Sequence, residues 1–152
     1  MNRRLIRQSA FKMLFSYNFN KDCINSYIKE AFEEDNIFFA QDEEDDSKLG
    51  KLSDNDKEFF YNLVMGTLEN TETIDSLINK SLKSWTMDRI AKVDLTILRM
   101  ALYEILYSKD VPVSVAINEA VELGKKFGTD DSGSFINGVL GKVVRDFCKQ
   151  GE

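Results

Sequence analysis

The chain contains no histidine. That removes the commonest general base, the usual metal ligand and every Ser-His or Cys-His nucleophile pair. Proline occurs once and glycine eight times in 152 residues, too little turn chemistry for a many-stranded β fold. The two cysteines, Cys23 and Cys148, stand far apart without obvious partners, so reduced structural thiols are expected rather than a disulfide. No apolar run approaches the roughly 20 residues of a membrane span. The opening M-N-R-R-L-I-R-Q-S lacks the apolar core and small-residue cleavage site of a signal peptide, which predicts a cytoplasmic protein. Phosphate loops of the G-x-x-x-x-G-K-[ST] or G-x-G-x-x-G type and the G-x-S-x-G nucleophile elbow are also missing. Glu119 and Glu122 stand three apart, but a di-iron bundle needs Glu-x-x-His. No enzyme site, metal site or cofactor is expected.

What the chain does have is apolar periodicity. Its hydrophobic fraction is 43%, enough for a core in a domain of this length. Residues 93–107 are apolar on nearly every face, through Val93, Ile97, Leu98, Met100, Ala101, Leu102, Ile105 and Leu106. A helix of that kind is buried among others, so 93–107 is expected to be the central helix of an all-α domain.

The other elements are expected around it. Residues 3–19 carry Leu5, Ile6, Ala10, Met13, Leu14 and Tyr17 at three- and four-residue spacing, the pattern of a core stripe. Residues 22–34 form a shorter second helix. Ser53, Asp54 and Asp56 mark the start of a third, which runs to about residue 70. Thr71 or Thr73 caps a fourth. Residues 84–90 link into the central helix, with Trp85 as a core plug at the junction. Pro112 fits just before or at the start of the next helix, with a stripe from Val113 to Phe127. Gly128-Thr129-Asp130-Asp131-Ser132 ends that helix and caps the last one, whose apolar face runs from Phe135 to Phe147. Gly138 and Gly141 cost helix propensity and are expected at a close helix–helix contact. The domain is expected to divide into an N-terminal subdomain, 1–84, and a C-terminal one, 85–152.

The net charge is −6, but residues 33–58 hold eleven acids against three bases. That stretch carries −8 and leaves +2 for the rest, so the acidity is local. The acidic run lacks the alternating ligands, sixth-position Gly and twelfth-position Glu of a calcium loop. A solvated loop over 35–52 is expected. Arg3, Arg4, Arg7 and Lys12 lie off the stripe of the first helix. Arginines at a helix start are mildly unfavourable unless an anion binds, when free N–H groups and guanidinium groups converge on one phosphate. Two readings stay open for them: a basic, solvated first turn, or an RNA-phosphate site.

Several words in the chain are specific enough to point to a family. I-L-R-M-A-L-Y-E-I (97–105), D-V-P-V-S-V-A-I-N-E-A-V-E-L-G-K-K-F-G (110–128) and D-S-G-S-F-I-N-G-V-L-G-K (131–142) closely resemble the C-terminal half of the bacterial transcription antitermination factor NusB family. The pattern R-x-x-A-x-x-x-L-[YF], carried by Arg7, Ala10, Leu14 and Phe15, resembles that family's first helix.

The resemblance implies about seven helices in two subdomains around a buried central helix. It implies a factor that works with the ribosomal small-subunit protein NusE on single-stranded boxA-type RNA of nascent ribosomal RNA transcripts. The complex then joins RNA polymerase and suppresses premature termination. Residue by residue, it implies RNA-phosphate contacts at Arg3, Arg4 and Arg7. Lys12 stands where the family often has Gln, and Phe15 where Tyr is frequent, so Phe15 can stack but not hydrogen-bond. Thr129, Asp131 and Ser132 fall on the family's second RNA- or partner-facing edge. Gly133 stands where some members carry a polar or basic residue, which predicts weaker RNA binding there. Phe135 is either a stacking platform or core. A protein–protein adaptor for a ribosomal protein, with little RNA affinity of its own, is the competing reading, and monomer and homodimer are both open.

Overall fold

The structure, a computed structural model, describes residues 3–18, 53–82 and 87–148. The helix expected at 22–34, the acidic stretch and Trp85 lie outside the described residues. Among the described residues there are six α-helices and no strand. They are α1 (Arg3–Tyr17), α2 (Asp54–Glu69), α3 (Thr71–Ser81), α4 (Lys92–Tyr107), α5 (Val113–Phe127) and α6 (Ser132–Phe147), with a 3-10 turn at Met87–Arg89 before α4. The all-α expectation and the position of the central helix hold. No helix among the described residues is long and apolar enough to cross a membrane.

The chain forms two compact units, Met1–Gly66 and Thr67–Glu152. The division therefore falls near the end of α2 rather than after residue 84. The reason is packing: α3 lies against α4 and α6, so it belongs with the C-terminal helices.

In the first unit, Leu5, Ile6, Ala10, Met13 and Leu14 of α1 are buried as the periodicity requires, and Phe60, Leu63 and Val64 of α2 are buried too. The start of α2 is held by a reciprocal pair. The Ser53 N–H donates to Asp56 Oδ2 at 3.0 Å, and the Asp56 N–H donates to Ser53 Oγ at 3.1 Å. This is a capping box with Asp in the third position. Burial works to raise the Asp56 pKa, but the bonds from Ser53 and the positive charge of the chain's amino terminus together hold the carboxyl below its usual 3.8.

In the second unit, α4 packs on α5, α5 on α6, and both α3 and α4 on α6. Ile97, Leu98 and Leu102 of α4 are completely buried, and Met100, Ala101 and Ile105 nearly so. Two polar residues share that buried surface. Thr96 donates its hydroxyl to the Lys92 carbonyl at 2.7 Å, the usual solution for a hydroxyl inside a helix. Glu104 is 3% exposed, and with burial and Glu69 it raises the Tyr103 phenol pKa, burial being the largest cause. Outside the core, Arg99 of α4 forks onto Asp75 of α3, with Nε to Oδ1 and Nη2 to Oδ2 both at 2.8 Å. Such bidentate pairs fix geometry as well as adding energy. Cys148, just past α6, is a free buried thiol whose pKa burial pushes up.

Two expectations about helix ends and contacts fail. Neither Thr71 nor Thr73 caps α3: the cap position is Asn70, whose side chain makes no capping bond to the helix start. Thr71 is already helical and returns its hydroxyl to the Thr67 and Leu68 carbonyls. Among the described residues, Gly138 and Gly141 are not at a close helix crossing. Among those residues, a Cβ at Gly138 would meet nothing within 4 Å, and one at Gly141 only Arg145 of its own helix. The close approach is made by Gly124 of α5 and Gly133 of α6. A Cβ at Gly124 would sit 2.7 Å from Ile136 Cδ1 and 3.4 Å from the Gly133 backbone nitrogen.

Candidate nucleic-acid interface

Two surfaces carry the residues singled out in the sequence, one in each unit. The first is the start of α1, where the first turn contains no acid. Arg3 and Arg4 are exposed. The guanidinium carbon of Arg3 lies 4.2 Å from the centroid of the Phe59 ring on α2. Arg7, one turn on, places its guanidinium carbon 5.3 Å from the same centroid. Both distances are within the range where a cation is attracted to a ring face.

Arg7 is nevertheless only 5% exposed, which corrects the expectation that it lies off the buried stripe with Arg3 and Arg4. The stripe of α1 is wider than its apolar letters suggest, because Ser9 and Phe11 are buried beside it. Ser9 satisfies its hydroxyl on the Leu5 carbonyl at 3.1 Å, and Arg7 directs its charge to an aromatic ring. Lys12 and Phe15 are half-buried. Phe15 stacks on the buried Phe11 with centroids 5.7 Å apart and planes 22° apart. Arg3, Arg7, Phe11 and Phe15 are thus successive members of one four-residue row along α1.

The second surface is the turn between α5 and α6. Gly128 closes α5 by donating its N–H to the Gly124 carbonyl at 2.9 Å. Its backbone is extended, so its need for glycine is spatial rather than conformational. A Cβ there would fall on Ser132 Oγ and lie 2.8 Å from the Gly124 carbonyl oxygen. Ser132 is 2% exposed, and its hydroxyl accepts the Thr129 N–H at 2.9 Å. Ser132 is therefore an internal tie of the turn, buried where an outward-facing residue was expected. Asp131 occupies the cap position of α6 without a side-chain bond to the helix. It is exposed, as is Thr129, while Phe135 is half-buried and so neither wholly platform nor wholly core.

The expectations overlooked three residues. Lys125 and Lys126, in the last turn of α5, are exposed. The Lys125 stem runs beside Gly133, 3.4 Å from where a Cβ would stand, and its ammonium is 3.6 Å from Glu122. Lys126 lies 5.8 Å over the Phe127 ring. A Lys-Lys pair closing a helix just before a polar turn was a readable signal. Phe59 is the third, and no spacing within α2 alone could reveal it, because its partners are on α1.

Residues 4–145 match the sequence profile of the NusB family. The transcription antitermination protein NusB of Acetivibrio thermocellus is 41% identical over 145 residues, which span 95% of this chain and 90% of that one. The NusB of Bacillus subtilis is 39% identical, over 96% and 97% of the two chains. Among solved structures, T. maritima NusB matches with a TM-score of 0.75 and 34% identity, over 96% of this chain and 92% of that one. A crystal structure of antitermination factors NusB and NusE in complex with double-stranded RNA matches with a TM-score of 0.73 and 25% identity, over 94% and 96%. With a family match that covers all but the two ends and relatives near 40% identity along nearly their whole length, this chain belongs to the NusB family.

Proposed function

We propose that this protein is an RNA-binding transcription antitermination factor that works together with the ribosomal protein NusE. Its activity is binding, not catalysis. The observation that carries the reading is the similarity, along nearly the whole chain, to a NusB seen with NusE and RNA. Its RNA is boxA-type sequence in nascent ribosomal RNA transcripts, and its destination is the RNA polymerase antitermination complex in the cytoplasm. The exposed Arg3 and Arg4 supply phosphate contacts at the start of α1, and Phe15 lies further along the same helix. Thr129, Asp131 and the two lysines Lys125 and Lys126 form the second contact surface.

Two exposed arginines give a shallow salt dependence, about −0.7 per phosphate contact on a single strand. The protein alone therefore binds RNA weakly, and NusE completes the site. A fluorescence titration of boxA-like RNA, single-stranded and duplex, at several salt concentrations and with or without NusE, tests this. The Arg3→Ala/Arg4→Ala variant should bind more weakly, and the wild-type slope should steepen with partner. Equal affinities for the two proteins under every condition would remove the contact from α1. NusE binding with no RNA affinity, alone or together, would leave the adaptor reading in its place.

A further inference from the structure

We propose that Phe59 is a positioning residue for the RNA contact: its ring holds the guanidinium of Arg3 at the start of α1, in company with that of Arg7. The inference rests on the RNA-binding reading above and adds a residue on a different helix to it. Three observations carry it. The Arg3 guanidinium carbon is 4.2 Å from the Phe59 centroid, inside van der Waals range of the ring face. A second guanidinium, that of the buried Arg7, is 5.3 Å from the same centroid. Phe59 itself is half-buried at the first turns of α2, whose start is pinned by the Ser53–Asp56 pair, so the ring stands on a fixed element.

The physical consequence is pre-organisation. A long exposed arginine normally loses much side-chain freedom when it binds a phosphate. A guanidinium already drawn to an aromatic face loses less, and its donors lie in the plane of the fork, at the rim rather than on the face. Two cations attracted to one ring also form a pair to which an anion adds favourably. Arg7 and Arg3 then have different duties. The buried Arg7 fixes the ring from within, and the exposed Arg3 meets the phosphate.

The test replaces Phe59 with phenylalanine bearing one, two or three ring fluorines, which withdraw charge from the ring face while nearly keeping its shape. RNA affinity is titrated in the presence of NusE, in the wild-type and Arg3→Ala backgrounds, with a melting curve for each protein. In the wild-type background affinity should fall stepwise with fluorination, by about three- to tenfold in all, as expected for a cation–ring attraction of ordinary strength. In the Arg3→Ala background the series should be flat, which a general packing role for Phe59 would not produce. Phe59→Leu should match the trifluorinated protein, and Phe59→Tyr should bind like wild type. A flat series with Arg3 present, or equal falls in both backgrounds, would overturn the inference while leaving RNA binding intact. Absence of RNA binding by the wild-type protein with NusE would instead overturn the functional reading and this inference with it.

Discussion

The start of α1 and the turn between α5 and α6 look alike as text and differ as structures. Each is a short polar stretch beside an amphipathic helix, and each invites a reading as a binding edge. At α1, Arg3 and Arg4 are exposed, and the guanidinium groups of Arg3 and Arg7 lie over an aromatic ring. In the turn, the polar groups are used on one another: Ser132 ties Thr129, and Gly128 exists to leave room for Ser132. Polar letters at a helix junction therefore have two uses, and burial decides between them. The lesson also applies within α1, where Arg7 is as buried as its apolar neighbours while Arg4 is not.

Four tests would break or sharpen that contrast. The largest effect is expected at Gly128→Ala. The added methyl meets Ser132 and a backbone carbonyl that cannot swing away, so a loss of about 1–3 kcal/mol is expected from overpacking, seen as a lowered denaturant midpoint. Gly124→Ala should cost less, because its nearest obstacle is the end of the Ile136 side chain. A Gly128→Ala midpoint equal to wild type would show that the turn is loose. Next, Arg7→Ala should lower the melting temperature, with about 2 kcal/mol lost from a desolvated cation–ring contact, whereas Arg4→Ala should leave it unchanged. Matching melts for the two variants would erase the distinction between them. Third, Ser132→Ala leaves the Thr129 N–H without its acceptor, a cost of about 1 kcal/mol, and should not alter RNA affinity. Reduced RNA binding at unchanged stability would return Ser132 to the interface.

The smallest effect concerns pH. The Asp56 carboxyl is held below 3.8 in the folded chain, so its contribution is present above that value. It is lost as pH falls through the lower folded pKa. An Asp56→Asn variant should therefore fall below wild type in stability at pH 7, with the gap narrowing at pH values under about 4. A gap constant with pH would show that the carboxylate charge contributes nothing.

The helices were legible because burial imposes a 3.6-residue rhythm that six segments keep. Ser53 and Pro112 marked real helix starts, since both signals act through local backbone chemistry. What was not legible arises between segments far apart in sequence. Arg99 finds Asp75 across 24 positions, and Phe59 finds Arg3 across even more. Gly138 and Gly141 are no more unusual in sequence than Gly124 and Gly133, but only the latter pair lies where α5 and α6 approach. Among the candidate site residues, Arg3 and Arg4 are exposed as expected, whereas Arg7 and Ser132 are buried, which their letters did not show. A charged or hydroxyl side chain does not say whether water or protein will solvate it.

Cys148 has a consequence of a different sort. A buried thiol with a raised pKa is nearly inert while the last turn of α6 is closed. Any disulfide reagent that labels it must wait for that turn to unlatch. In a Cys23→Ser background the labelling rate becomes a clock for local opening of the C-terminal helix. The chain thus carries, at the end of its last helix, an internal gauge of how often that end comes undone.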